Sequence, residues 1–165
     1  MDAINNLFNA ARIGDLTILN ELIAQGVDLD SRDARGFTPL IVATYNEQPQ
    51  AAELLLNAGA DVNAQDAGGN TALMGVCFKG YREIAELLIR HGADLNLQHG
   101  NGGTALMFAA MFGRNQLVKL LISYAADTEI RDSRGFTALD LAVQQGNVEA
   151  VELIEGAEPK LKKQL

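Results

Sequence analysis

A short pattern recurs along the chain with a constant period of 33 residues. It begins with threonine and ends with leucine two positions later, at residues 38–40, 71–73, 104–106 and 137–139. A glycine stands two positions before each threonine, and no insertion interrupts the period. Such a period is typical of repeat proteins, in which each unit is one supersecondary element that needs its neighbours to bury a core.

Each unit predicts two short helices. The threonine is a good helix N-cap, and Pro39 suits the first helical position because no backbone donor is lost there. About ten residues of helix then lead to a glycine, which tolerates the left-handed conformation that ends many helices. A second helix has leucine and isoleucine at helical spacing, and a Gly-Ala-Asp segment such as residues 59–61 ends it. Stacked units of this kind predict an all-α, elongated solenoid.

The combined pattern resembles the ankyrin repeat family. It consists of Asp-x-x-Gly-x-Thr-x-Leu, a glycine, a Leu-Leu pair and then Gly-Ala-Asp-Val-Asn. The resemblance covers residues 1–157 as a single repeat domain, and it implies helix–loop–helix units with projecting β-hairpin turns and a concave groove. We expect a capping repeat over 1–32, full repeats over 33–65, 66–98 and 99–131, a C-terminal capping repeat over 132–157 and a short charged tail over 158–165.

Two charged residues support the predicted capping repeats. Glu21 occupies a column that is otherwise leucine, and Glu155 occupies a column of leucine and isoleucine. Because a terminal repeat exposes one face to water, charge at these positions protects the open ends of the stack.

Several residues depart from the family pattern. The family often has histidine three residues after the threonine, so the turn hydrogen bonds of that histidine must come from other groups here. In this chain the column holds Ile41, Met74, Met107 and Asp140. Glu47 stands where a left-handed glycine is expected, at a cost of about 1 kcal/mol. His99 replaces a turn aspartate and Ala125 a glycine, so we expect the hairpins beside them to be the least regular.

No group of residues in the sequence predicts catalysis, a cofactor or a metal site. His91 and His99 lack the spacing of zinc ligands, and we expect Cys77 to be a small buried residue. Residues 100–104 precede a helix and resemble an anion-binding loop, but they lack its Gly-Lys-Ser/Thr signature and the repeat already explains them. We therefore expect no enzyme, no cofactor and no metal.

Composition limits the partners and the compartment. The 165 residues carry a net charge of −8, which disfavours nucleic acids and anionic membrane surfaces. No apolar run approaches the ~20 residues of a membrane span, no secretory signal is visible, and the single cysteine suits a reducing compartment. These features predict a cytoplasmic protein that binds neither nucleic acid nor membrane.

The resemblance also implies which positions project from the hairpin tips and the inner helices. Four of the six phenylalanines fall there, in a stripe with Tyr45 and Met111, although any single ring could instead pack on a neighbouring hairpin. Aromatic residues, Met and Arg are enriched in interface cores, and Arg35 and Arg134 would favour carboxylates on a partner. The predicted protein-binding residues are Arg35, Phe37, Tyr45, Phe78, Lys79, Met111, Phe112, Arg134 and Phe136.

The predicted function is that of a protein-binding module that is monomeric when free. Its partner is another protein, and the roles of adaptor, inhibitor and immunity-type partner all fit. Self-association through the aromatic stripe is the alternative, and enzymatic activity is the least supported interpretation.

Overall fold

The computed structural model describes residues 2–157, and these residues form ten helices in two layers. The inner layer contains α1 (Ala3–Ile13), α3 (Pro39–Tyr45), α5 (Ala72–Lys79), α7 (Ala105–Met111) and α9 (Ala138–Gln144). The outer layer contains α2 (Leu16–Ala24), α4 (Pro49–Asn57), α6 (Arg82–Arg90), α8 (Asn115–Ser123) and α10 (Val148–Ala157). Each helix packs against its partner in the same repeat and against the equivalent helix of the next repeat. The all-α solenoid is therefore confirmed, and the hairpin turns contain no strand within the described residues.

Buried threonines begin four of the inner helices. The hydroxyl oxygen of each accepts a hydrogen bond from the N–H of the third helical residue, at 3.2 or 3.3 Å. These threonines are Thr38, Thr71, Thr104 and Thr137. Because each hydroxyl satisfies a donor that would otherwise be orphaned inside the stack, the repeated threonine stabilises the entrance of every inner helix after α1.

The four inner helices after α1 are seven or eight residues long, which is shorter than the predicted length. Each ends one or two residues before a residue of positive φ, because the chain leaves helical geometry as it approaches the left-handed position. Glu47 adopts this conformation with φ of 56°, and Ala125 adopts it after α8 with φ of 61°. The left-handed conformation of Glu47 is as predicted from its place in the repeat, and Ala125 shows the same conformation where it replaces a glycine.

The core lies between the two layers and repeats with the sequence. One buried column lies on the outer helices and consists of Leu22, Leu55, Leu88, Leu121 and Ile154. A buried column of small residues on the inner helices lets neighbouring helices approach, and it consists of Ala10, Ala43, Val76, Ala109 and Ala142. Glu21 and Glu155 are exposed at the two ends of the outer layer. Apolar side chains are thus buried between repeats while charge faces water at the ends.

Long polar side chains connect the hairpin turns of successive repeats. Arg32, Gln65, Gln98 and Arg131 recur six residues before the capping threonines, and we call them the polar ladder. Each donates a hydrogen bond to the glycine carbonyl of its own turn. The first three also donate to the backbone carbonyl of the next member, as Gln65 does to Gln98 at 3.2 Å. The polar ladder supplies the turn hydrogen bonds that the sequence assigns to groups other than histidine.

His99 preserves the hairpin geometry of the repeat in which it lies. Its Nδ1 accepts a hydrogen bond from the Asn101 N–H at 3.1 Å, as the Asp66 carboxylate accepts one from Gly68 at 2.8 Å. The backbone of Gly102 has φ of 81°, close to the 85° of the equivalent glycine one repeat earlier. The turn therefore keeps its backbone conformation, because an imidazole nitrogen can replace the carboxylate oxygen as the acceptor. It accepts one backbone N–H, whereas the aspartates of the other three hairpins each accept two.

Truncation of a core residue should destabilise the whole stack. Leu88 is fully buried between the layers, so we expect Leu88→Ala to lower the free energy of unfolding by ~2–5 kcal/mol through lost contacts and a cavity. Urea denaturation followed by circular dichroism measures this change. Leu16→Ala, at a residue that is 39% exposed, is the control and should cost less than about 1 kcal/mol. Equal losses in the two variants would contradict the described core.

A capping box at the start of α9 links stability to pH. The Asp140 carboxylate accepts a hydrogen bond from the Thr137 N–H at 2.9 Å, and the Thr137 hydroxyl oxygen accepts one from the Asp140 N–H. The bond from the Thr137 N–H is the main reason that the pKa of Asp140 lies below its ordinary value. The stabilisation is therefore complete above the unfolded pKa and disappears as the pH falls through the lower folded pKa.

Removal of this carboxylate should weaken the protein at neutral pH more than in acid. We expect Asp140→Ala to lower the free energy of unfolding by about 1 kcal/mol near neutral pH. The difference from the unchanged protein should begin to shrink below the ordinary aspartate pKa of about 4, and it should vanish as the pH falls through the lower pKa of the folded carboxyl group. Urea titrations across this range measure it, with Asp140→Asn as a variant that keeps an acceptor but does not titrate. A difference that stays constant down to strong acid would refute the assignment.

Candidate functional site

Three aromatic side chains remain exposed where the inner helices end. Tyr45 closes α3, Phe78 lies in the last turn of α5, and Phe112 follows α7, with exposed fractions of 45%, 37% and 42%. The rings of Phe78 and Phe112 meet edge to face with centroids 4.7 Å apart, and Phe112 stacks on Phe108 at 6.4 Å. We call the surface formed by these helix ends and the preceding hairpin turns the groove face.

The ammonium of Lys79 lies over two tyrosine rings, one on the groove face and one at the start of α6. The Nζ atom of Lys79 is 4.9 Å from the ring centroid of Tyr45 and 5.7 Å from that of Tyr81. Such cation–π contacts are favourable because the face of an aromatic ring carries partial negative charge. They hold a positive charge beside the exposed rings.

Two of the four phenylalanines that the stripe assigns to the surface are half-buried. Phe37 and Phe136 follow the hairpin glycines and pack against the hydrophobic core. The guanidinium of Arg134 covers the Phe136 ring at 5.1 Å. The expected exposure of these two rings is wrong, because both pack against the hydrophobic core, which covers part of each ring. Met111 is also only partly exposed.

A cavity of about 570 Å³ opens between the hairpin turns and the inner helices. Four of the predicted residues line it, namely Arg35, Phe37, Tyr45 and Phe78. Met74 and Phe108 add apolar wall, and Gly75 leaves space in the middle of α5. Because the glycine carries no side chain while its neighbours are large, we call this space the Gly75 cavity.

The polar groups at the rim of the Gly75 cavity differ in whether their hydrogen-bonding groups already have partners within the chain. The Asp33 carboxylate accepts hydrogen bonds from the N–H groups of Arg35 and Phe37, and the Asp66 carboxylate is bonded to the backbone and side chain of Asn70. The Arg35 guanidinium, by contrast, makes no hydrogen bond, ion pair or ring contact with the described residues. The donor capacity left open at this rim is therefore cationic.

A second cavity, also of about 570 Å³, lies beside the first and shares Phe108 with it. Met111 and Arg134 line it, but the Arg134 guanidinium is already engaged, with Nη2 2.8 Å and Nε 3.1 Å from the Asp132 carboxylate. Burial works to raise the pKa of Asp132, but hydrogen bonds from the Phe136 N–H and from Arg134 outweigh it, so the pKa lies below its ordinary value. The ion pair thus persists at neutral pH.

The structure groups most of the predicted residues but divides the stripe into two cavities. Phe112 and Lys79 lie beside the cavities without lining them, and Phe136 lies beneath Arg134. Sequence reasoning missed Phe108 and Gly75, which occupy the same column of successive repeats. The sequence feature that indicates them is the large change of side-chain size along this column, which also contains Val42 and Leu141.

Other kinds of site find little support in the described part of the chain. Residues 2–157 contain no group of three or more His, Cys, Asp or Glu side chains that could hold a metal ion. Cys77 is fully buried, which raises the pKa of its thiol and leaves it unreactive. Among the described helices, none combines the length and the apolar character of a membrane span.

Gly75 weakens α5, and its replacement by alanine should strengthen it. A Cβ atom added there would lie 3.5 Å from Cδ2 of Tyr45, which is an ordinary van der Waals distance. We expect Gly75→Ala to raise the free energy of unfolding by roughly 0.5–1 kcal/mol, because alanine loses less backbone entropy in a helix interior. Urea denaturation measures the gain. A loss of stability would mean that the cavity is too narrow for a methyl group.

The comparison with known proteins agrees with the fold. A family model for ankyrin repeats, in three copies, matches residues 7–99 and 77–163, which together span most of the sequence. None of the curated proteins matches this chain. The period of 33 residues, the threonine-capped inner helices and the stacked helix pairs all correspond to this match. The chain therefore belongs to the ankyrin repeat family.

Proposed function

We propose that this chain binds another protein through its groove face, as an adaptor or inhibitor and without chemistry of its own. Ankyrin repeats are generally protein–protein interaction modules, and the family is typically non-enzymatic. The observation that carries the proposal is the exposed edge-to-face pair of Phe78 and Phe112, with Tyr45 beside it. Of the four exposed Phe and Tyr side chains within residues 2–157, these three lie together.

Exposed aromatic rings keep apolar surface in contact with water, and their burial in an interface lowers the free energy of binding. Each ring offers a large apolar area that moves little, because only two side-chain torsions must be fixed on binding. Contiguous apolar surface on a folded protein commonly marks an interaction site. The three rings span three successive repeats, so a partner can cover them in one contact.

The groove face is also held in place before any partner arrives. Backbone hydrogen bonds join successive hairpins, from Ala67 N–H to Arg35 carbonyl at 3.1 Å and from Gly100 N–H to Gly68 carbonyl at 2.9 Å. The polar ladder adds side-chain bonds between the same turns. Because these groups are already ordered, association needs to order little more of the surface, which favours affinity.

Loss of the three exposed rings should abolish binding but leave the fold intact. We expect the variant Tyr45→Ser, Phe78→Ser, Phe112→Ser to lose partners that the unchanged chain captures from a cell lysate, because aromatic hot spots each contribute ~2 kcal/mol or more. Its free energy of unfolding should fall by no more than about 1–2 kcal/mol, mainly from the lost ring pair. Phe37→Ser should instead lower stability, because that ring packs on the core.

The matched control is Tyr124→Ser. Tyr124 is as exposed as Tyr45, at 45%, but it lies at the end of the outer helix α8. Capture that survives in the triple variant would contradict the proposal, as would capture lost equally in the control. Light scattering on the purified chain tests the alternative, because self-association through the rings would raise its mass with concentration, and the triple variant would reverse that rise.

A further inference from the structure

We propose that the Gly75 cavity receives one large apolar side chain from an acidic segment of the partner protein. The inference rests on the proposed function, since it names the part of the groove face that anchors the partner. The partner segment is expected to have an aspartate or glutamate close to the apolar residue that enters the cavity.

The cavity exists because one column of the inner helices changes size between repeats. The column holds Val42 in α3, Gly75 in α5 and Phe108 in α7. At Gly75 the missing side chain opens the wall, and Phe108 closes the far side of the space. A glycine in the middle of a helix lowers its stability, so the opening has an energetic cost that the fold does not require.

The walls of the cavity suit an apolar group. Phe37, Tyr45, Phe78 and Met74 surround the space that Gly75 leaves, and its volume of about 570 Å³ lies in the range of pockets that bind ligands. An aliphatic or aromatic side chain entering this space loses water and gains contacts with ring faces and with the methionine thioether. The cavity is large enough for a bulky residue and the backbone that presents it.

The rim of the cavity favours a carboxylate beside that residue. The Arg35 guanidinium has no partner among residues 2–157, and Arg12, which also lines the cavity, donates only to the Asn9 side chain at 3.0 Å. Lys79 holds its charge over Tyr45 on the same side. The two carboxylates at the rim, Asp33 and Asp66, already accept hydrogen bonds within their own turns. Their acceptor capacity is therefore engaged, and the hydrogen-bonding capacity left open at the rim is that of the guanidinium donors.

The equivalent arginine three repeats later supports the assignment by contrast. Arg134 occupies the same repeat position as Arg35 but is bonded to the carboxylate of Asp132 within its own hairpin. Leu141 occupies the Gly75 column in α9 and lines the second cavity, which has the same volume of about 570 Å³. The two halves of the groove face therefore differ in the state of the arginine, which is unpaired beside the Gly75 cavity and paired beside the second one.

The test selects short random peptides, displayed on phage, on the full chain and then measures the Kd of synthetic copies by fluorescence polarisation. We expect enriched peptides to share a large apolar residue next to Asp or Glu. Gly75→Leu, which fills the cavity, should weaken binding about tenfold or more. Arg35→Glu should weaken it similarly, and the control Lys119→Glu, with the same change of charge on the outer helix α8, should leave the Kd nearly unchanged.

Melting curves distinguish a loss of binding from a loss of folding. Leucine and alanine both have a higher helix propensity than glycine, so the Gly75→Leu and Gly75→Ala variants should melt no lower than the unchanged chain. A basic consensus, or no enrichment over the Gly75→Leu chain, would overturn the inference. So would peptides whose Kd is insensitive to Gly75→Leu. If such peptides still lose affinity in the triple serine variant, the groove face binds proteins as proposed and only the cavity inference fails.

Discussion

Contact between neighbouring repeats is the constraint on which this structure depends. A single helix pair buries only part of its apolar surface, and residues such as Leu55, Leu88 and Leu121 are fully buried within the stacked layers. The turns depend on their neighbours in the same way. The Asp61 and Asp94 N–H groups donate to side chains one repeat earlier, at 2.9 and 2.7 Å. The polar ladder bonds the hairpins in the opposite direction, so each repeat completes the hydrogen bonds of the next.

This constraint separates positions that hold the stack from positions that are free to vary. The capping threonines, the leucines of the core and the left-handed glycines recur because stacking requires them in every repeat. The ends of the inner helices face outward and carry no such requirement. The residue type changes there from Tyr45 to Phe78 to Met111, and in the middle of the inner helices a second column changes from Val42 to Gly75 to Phe108. Variation on a rigid frame is how a solenoid presents a specific surface.

The sequence predicted the fold well because the period repeats the same local signals. Helix pairs, threonine caps and the left-handed Glu47 all followed from their register. The site was harder to predict, since the exposure of a ring depends on its packing in the folded chain. Phe37 and Phe136 were expected at the surface, but they pack against the core and are half-buried. The Gly75 cavity was missed because a helical glycine, taken alone, indicates only a propensity penalty, and the space appears only when rings from three repeats surround it.

In the proposed interaction, the net charge of the chain and the charges beside the Gly75 cavity act on an acidic partner in opposite directions. The chain carries a net charge of −8, which repels an acidic partner at long range, yet the groove face presents Arg12, Arg35 and Lys79 at short range. At physiological ionic strength charges are screened over about 8 Å, so carboxylates far from the cavity contribute little to the contact, while the cations at the rim, and Asp33 and Asp66 beside them, still act on it. Selectivity then comes from near neighbours, because only a segment that places its carboxylate beside the anchored side chain reaches the unpaired guanidinium. An acidic solenoid can in this way bind an acidic segment, because burial of the apolar anchor and the adjacent guanidinium offset the long-range repulsion.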